Sequence, residues 1–462
     1  MQGMRELLAD LWRQAGGDVA ALQRVTLTGE EPALPSSFRT GAAAQVSIAA
    51  AGLAAAEIWR TRSGQAQDVS VDMRHAVVEC RSERYLRHPP PPAWDAIAGV
   101  YKTGDGRYVR LHTNFPHHRD AVCKVLSCAP ERDAVQAALM QWKGEDFETA
   151  AYAAGGVVAL MRSHDEWIAL PQAKAIAELP LVEITRIGDA APRPWPQGER
   201  PLAGLRVLDL SRVIAGPVAG RTLAAHGADV MLVSSPNLPA IPWLTIDTGR
   251  GKRSCFADLD TEQGREALRG LLEGADIFSQ GYRPQSLAAR GFAPEDAARL
   301  SPGIVYVSLS AYGRSGPWAQ RRGFDSLVQC ATGFNHAEGQ AAGVAGPKEL
   351  PAQMLDHATG YLMAFGAMMA KLRQAREGGS WHVQVSLART GKWLWEMGRL
   401  DKGLNAPDIG GDAVAALVQE LPSGFGTLSG VRHAAVLGST PAYWARPAVP
   451  LGTDPPVWGS AI

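Results

Sequence analysis

Asp356 is the residue whose type and setting best suit a nucleophile. It stands in the run LPAQMLDHATGYLMAFGAMMA, just ahead of a long and nearly uncharged helix. Aspartate is a favoured helix N-cap, because its carboxylate satisfies N–H groups of the first turn. The same setting lets the helix N–H groups and dipole hold the carboxylate ionised. A carboxylate held in this way can attack a thioester and form a covalent acyl intermediate. Capping and catalysis are compatible roles for one residue.

Three further groups carry candidate chemistry. Ser211–Gly220 (SRVIAGPVAG) follows an apolar strand and opens a helix, so its turn offers backbone N–H groups to an anionic or nucleotide ligand. It matches neither the dinucleotide fingerprint G-x-G-x-x-G nor a phosphate-binding P-loop with its lysine. Arg250, Lys252 and Arg253 in TGRGKRS form a compact basic cluster, and Arg283 and Arg290 follow in GYRPQSLAARGF. Such cations are natural partners for phosphates, or else solvated loop charges. His117, His118 and Asp120 lie together in NFPHHRD, but adjacent histidines rarely face one ion and no third ligand is spaced to join them, so no metal is expected. His357 beside Asp356 should point away from it.

These residues need elements to hold them. Leu205–Leu210 reads as a buried parallel strand, Pro217–His226 as a helix and Asp229–Val233 as a second strand. Thr261–Glu273 reads as an amphipathic helix, Ala275–Ser279 as a third strand and Ile304–Ser310 as a fourth. The alternation predicts an α/β domain with a doubly wound parallel sheet. In the first half, Gly99–Thr113 alternates about Gly104-Asp105-Gly106 and predicts a hairpin within a smaller α/β domain. His88–Pro92 reads as a loop, and the proline-rich Ala191–Pro201 as a linker with the main boundary near residue 195. The expected division is residues 1–195, 196–400 and a C-terminal extension 401–462 packing back on the core.

The whole chain narrows the function classes. Its 462 residues, 46% hydrophobic and 20% charged, suit a soluble protein of two or three domains. A formal net charge of zero gives no general attraction to nucleic acid. The apolar stretch Thr40–Ile58 is rich in Ala and Gly and contains Gln45, Ser47 and Glu57, so it reads as a packed helix rather than a membrane span. The opening residues form a short amphipathic helix rather than a signal peptide. Five scattered cysteines suggest neither zinc nor disulfides and fit a cytoplasmic location.

The sequence also echoes itself. Thr40-Gly41 opens an Ala-rich helix ending at Arg62-Ser63-Gly64, followed by the strand-like Val69–Met73; Thr359-Gly360 opens another ending at Arg376-Glu377-Gly378, followed by Val383–Leu387. Matched order and end signals favour duplication over coincidence. Aligned on Thr-Gly, Asp356 corresponds to Ser37.

Taken together these segments resemble the class III (CaiB/BaiF-type) CoA-transferase family, which also includes acyl-CoA racemases. The matching run extends from PLAGLRVLDLSRVIAGP through GADVMLV, TGRGKRSCFADLD, ADIFSQGYRPQSLAARGF, LSPGIVYVSLSAYGRSGP and GFDSLVQCATG to LDHATGYLMAFGA, roughly Pro201 to Leu387. The resemblance implies a Rossmann-like domain plus a smaller α/β domain. It implies Asp356 as nucleophile, moving CoA between an acyl-CoA and a small carboxylic acid through an aspartyl intermediate. It implies CoA contacts at Val213, Ile214 and Ala215, with Lys252, Tyr282, Arg283 and Arg290 on the nucleotide side, and a homodimer. Within the first half, RTGAAAQVSIAAAGLAAAEIWRTRSGQAQDVSVDM, GVYKTGDGRYVRLHT and HDEWIALPQAKA resemble later parts of the same family. The order is therefore rearranged, as in a fusion of two trimmed copies with one nucleophile, and a monomeric pseudo-dimer is the other expected arrangement. Ser234-Ser235 stand where an acidic residue usually ends the second strand, Gln280-Gly281 replace the usual Glu-Asn pair, and no glycine-rich shielding loop is found. Two other readings are an acyl-CoA racemase, whose histidine would fall at Phe324, and a non-catalytic CoA-binding relative.

Overall fold

The computed structural model describes residues 2–86 and 94–459; the loop expected at His88–Pro92 lies outside them. The protein is a mixed α/β fold built around one seven-stranded sheet. Numbered in chain order, its strands are β1 (Glu183–Gly188), β2 (Arg206–Leu210), β3 (Asp229–Ser234), β4 (Lys252–Phe256), β5 (Ile277–Gln280), β6 (Val305–Ser310) and β7 (Ser380–Ser386). They lie in the order β4-β3-β2-β5-β6-β7-β1. All neighbours are parallel except the edge strand β1, which runs antiparallel to β7. The chain moves outward from β2 to β4, then returns to the far side of β2 and moves the other way. Between β2 and β5 the connections thus leave a crevice at the carboxyl ends of the strands, where ligands of open α/β sheets bind.

Alternate residues of each strand face opposite ways, which builds two cores. Val207, Val230, Ile277 and Val305 join one core, and Leu208, Met231, Phe278 and Tyr306 the other. The first core is covered by helices α1 (Thr40–Ser63), α2 (Ala215–Ala225) and α3 (Met354–Glu377), with α3 packed against both of the others. The second is covered by helices such as Glu262–Glu273, which turns Leu268, Leu271 and Leu272 inward.

Strand β4 lies where the sequence suggests only a basic loop, because Lys252 and Arg253 obscure a short strand. The first-half strand β1 joins the large sheet although it precedes the proline-rich linker. The helix Thr40–Ser63 is buried inside the fold. Strands Gly99–Lys102 and Tyr108–Leu111 form the expected hairpin and pair on to Val158–Leu160, over a separate small core of Val109, Val122, Leu139 and Phe147. A third sheet joins Val25–Thr28, Val69–Asp72 and the late strand Ala435–Leu437. The echo holds in order but not in register: Thr40 opens α1, whereas α3 opens at Met354, ahead of Thr359-Gly360. Helices α1 and α3 each have 24 residues and each is followed by a strand. The last residue of each strand, Asp72 or Ser386, then caps a further helix by accepting from His75 N or Arg389 N.

Candidate active site

The loop after β2 is fixed from behind by a buried ion pair. Asp209, fully buried, accepts from Lys252 Nζ at 2.8 Å, from Ser211 N at 3.0 Å and from the Ser211 hydroxyl. Lys252 Nζ also donates to Pro217 O at 2.8 Å, tying the strand ends to the start of α2. Gly220 leaves room for this pair, since a Cβ there would lie 2.4 Å from Asp209 Oδ2. Within the loop Val213 has φ of +73°, a left-handed conformation that a β-branched residue adopts only under constraint. Gly360 brings α3 against this loop; a Cβ on it would stand 2.5 Å from Ala215 O.

Asp356 lies inside the first turn of α3, not ahead of it. The N-cap is Gln353, whose side chain makes no capping bond. The cap comes instead from the buried Asp325 at the start of another helix. Its Oδ2 accepts from Asp356 N at 2.9 Å, it also takes the Leu355 N–H, and Oδ1 accepts from the Gln329 amide. Gln329 in turn accepts from Leu350 N at 3.0 Å. Asp325 thus satisfies the helix end and leaves the Asp356 carboxyl free of that duty.

The electrostatics differ from the expected dipole-stabilised anion. Burial, then the neighbouring charges of Asp325 and Glu83, push the Asp356 carboxyl well above the ordinary carboxylate range. Asp325 itself is raised to about 6, chiefly by burial. Glu83 accepts from His357 Nε2 at 3.1 Å, and His357 Nδ1 is buried with no partner among the described residues. His357 does point away from Asp356, as expected, but its Glu83 partner faces the same space as Asp356.

Asp356 stands where two cavities meet. The first, about 530 Å³, opens at the carboxyl ends of β2 and β5 and is lined by Val213, Ile214, Ala215, Tyr282, Arg283, Arg290 and Asp356. Six of the seven predicted CoA contacts are thereby brought together with the predicted nucleophile. Arg212, Arg321 and Arg322 join this wall. Among the described residues Arg212, Arg283 and Arg322 have no acidic partner, and Arg283 and Arg322 repel one another. A cluster of unneutralised guanidiniums suits phosphate groups. Arg290 donates to Asp260 at 2.6 Å across the rim. His117 and His118 also line this cavity, and burial lowers the latter to about 3; no metal-holding cluster is found among the described residues.

Lys252 is the exception. It is 2% exposed, engaged by Asp209, and absent from the cavity wall. The rest of its basic cluster is internal too. Arg250 Nη2 donates to Asp247 Oδ1 at 2.7 Å and the guanidinium stacks on Trp444, while Arg253 pairs with Asp229. Asp247 also accepts from Arg221 and Ser82, both at 2.6 Å, which binds the first half to the sheet. This cluster holds the fold rather than facing the cavity.

The second cavity, about 1010 Å³, lies beyond Asp356 and shares Val213, Ile214, Phe324 and Asp356 with the first. Phe324 stacks on His112 at 3.7 Å between ring centroids. Ser37 lies outside α1, accepts from Arg399 at 2.7 Å and lines neither cavity. Sequence reading overlooked Asp325, Glu83, Arg212 and Arg322. Asp325 had one signal, an acidic residue opening an otherwise apolar helix; Glu83 in SERY had none.

The family model described as "CoA-transferase family III" matches residues 202–454, more than half of the chain. An acyl-CoA transferase of Gibberella moniliformis is 28% identical over 421 residues, covering 80% of this chain and 73% of its own length. A probable fatty acyl-CoA transferase, Rv3272 of Mycobacterium tuberculosis, is 33% identical over 201 residues, covering 41% of this chain. The chain spans 50% of that relative's length. A crystal structure of Rv3272 aligns with 31% identity and a TM-score of 0.40, over 43% of this chain and 59% of that one.

Proposed function

Since the chain belongs to CoA-transferase family III, we propose that it moves CoA between an acyl-CoA thioester and a free carboxylic acid, with Asp356 as nucleophile. The observation that carries this reading is the Asp356 carboxyl at the junction of two cavities, relieved of capping by Asp325.

In this mechanism the Asp356 carboxylate attacks the thioester carbonyl, the C–S bond breaks and CoA leaves as thiolate, giving a mixed anhydride. The thiolate then attacks the aspartyl carbonyl; the anhydride C–O bond breaks and the donor acid departs as carboxylate. The acceptor carboxylate attacks the resulting aspartyl-CoA thioester and expels the thiolate again. Attack of the thiolate on the acceptor's acyl carbon forms the new acyl-CoA and restores Asp356. No proton is gained or lost over the cycle. A high carboxyl pKa makes the anion more basic once formed, and burial strips water from it, at the cost of a smaller ionised fraction in the empty site.

The first cavity is read as the CoA site of a Rossmann-like domain spanning residues 196–400. The loop at Val213–Ala215 faces the pantetheine end, and Arg212, Arg283 and Arg322 face the phosphates. Lys252 would act from behind, by keeping the loop in shape. The strand order and the α1/α3 echo support a chain of two trimmed, rearranged copies. The first, residues 1–195, carries no nucleophile, and residues 401–462 extend back over the core. Either a homodimer or a monomeric pseudo-dimer follows. Free thiols at all five cysteines fit a cytoplasmic enzyme.

The test is transfer of CoA from a donor acyl-CoA to an added acid, followed chromatographically with the Asp356→Ala and Asp356→Asn variants. The proposal expects loss of transfer in both, with CoA binding retained. Transfer persisting in Asp356→Ala would refute it.

A further inference from the structure

The cavity beyond Asp356 points to a class of substrate. It is about 1010 Å³, roughly twice the volume on the nucleotide side. Cavities of about 300–1,000 Å³ take drug-sized ligands, so this one is far larger than an acetyl or succinyl group requires. Its apolar wall comes from both halves of the chain: Leu86 and Leu111 from the first, Ile241, Trp243, Leu244 and Phe324 from the second. Trp94 meets Trp243 edge-on at 5.5 Å and is 59% exposed, so this aromatic pair stands at the outer end.

The charges in the wall are largely committed to one another. Glu83 holds His357, Arg110 pairs with Glu349, and Asp325 caps α3. Among the described residues of the wall, Arg84 is loosely held, 3.9 Å from Glu83 and 42% exposed, and Arg110, though paired with Glu349, keeps a buried Nε without a partner. A chamber made for a short diacid would offer a dedicated, buried cation at a fixed distance from Asp356. Here burial of apolar surface is the main attraction available.

We propose that this chamber takes the acyl group, and that the preferred substrates are acyl-CoAs with a bulky apolar acyl chain of medium length or longer. The inference rests on the transfer reading above and adds the substrate class. Each fully buried methylene favours binding about fourfold, so the six extra methylenes of octanoyl-CoA should make it react on the order of 1,000-fold more efficiently than acetyl-CoA.

The experiment measures kcat/KM for formation of the Asp356 adduct with acetyl-, succinyl- and octanoyl-CoA, in the unsubstituted protein and in Ala98→Trp. Ala98 is half-buried and lines the chamber, so tryptophan there fills it without entering the core. The expected result is octanoyl-CoA far ahead, and a ratio of octanoyl to acetyl that falls at least tenfold in the variant. CoA-induced thermal stabilisation checks that the variant is folded. Succinyl-CoA reacting fastest would transfer the role to Arg84 and overturn the proposal, while leaving the transfer reading intact. Equal rates for acetyl- and octanoyl-CoA would do the same. No adduct with any donor would refute the transfer reading and this proposal with it.

Discussion

Replacing Asp325 with asparagine removes one buried charge while keeping the side chain's size, and its effects on stability and on catalysis can be separated. The native carboxylate accepts from Asp356 N, Leu355 N and the Gln329 amide. Asparagine has one oxygen and presents an NH2 group to a donor, so at least one buried N–H loses its partner, at about 1–3 kcal/mol. The start of α3 then shifts, and misplacement of the nucleophile should cost about 10–100-fold in the plateau rate. The charge effect is separate. Asp325 is a like charge that disfavours ionised Asp356. Without it Asp356 ionises at lower pH, and the acid limb of the adduct-formation profile moves to lower pH. Stability carries the matching sign. The folded pKa of Asp325, about 6, lies above an ordinary aspartate's. Its contribution to stability is therefore present below about pH 4 and lost as pH rises through 6, by about 2–3 kcal/mol. The variant lacks that loss, so its stability deficit relative to the native protein should shrink between pH 4 and pH 7. Adduct formation by quenched mass spectrometry from pH 4 to 8, with urea melts at both ends, measures both effects. An acid limb that stays put or moves to higher pH would refute the reasoning.

Three further outcomes are expected. Arg283→Ala and Arg322→Ala should each weaken CoA binding about 10–100-fold, with a shallower salt dependence, by calorimetry at two ionic strengths. Lys252→Met leaves Asp209 as a buried unpaired charge and should cost about 3–5 kcal/mol in urea melts, a larger effect than any change in CoA affinity of the folded protein. Gly360→Ala sets a Cβ 2.5 Å from Ala215 O; it should cost about 1–3 kcal/mol and lower the transfer rate, because α3 must retreat from the loop it touches.

The sequence was most informative where short-range signals decide structure. The apolar run at Arg206–Leu210, its turn and the helix after it, and the hairpin about Gly104-Asp105-Gly106 are local patterns, and the fold follows them. Six of the seven residues expected to contact CoA line one cavity, and they sit in or near such turns. Long-range pairing was not legible. Asp325 caps α3 from 31 residues away, so Asp356 looked like its own cap. Glu83 reaches His357 across 274 residues. The cations of TGRGKRS looked free because nothing local reveals Asp209, Asp229 and Asp247 as their partners. Strand β4 was hidden by those same charges, which a buried strand tolerates only when each is paired.

The most direct test of the account is mass spectrometry of the protein after incubation with acyl-CoAs and quenching with hydroxylamine or borohydride. A hydroxamate or a reduced side chain should map to Asp356 alone and be absent when acyl-CoA is omitted. An unmodified Asp356 during active transfer, or an adduct on another residue, would contradict it.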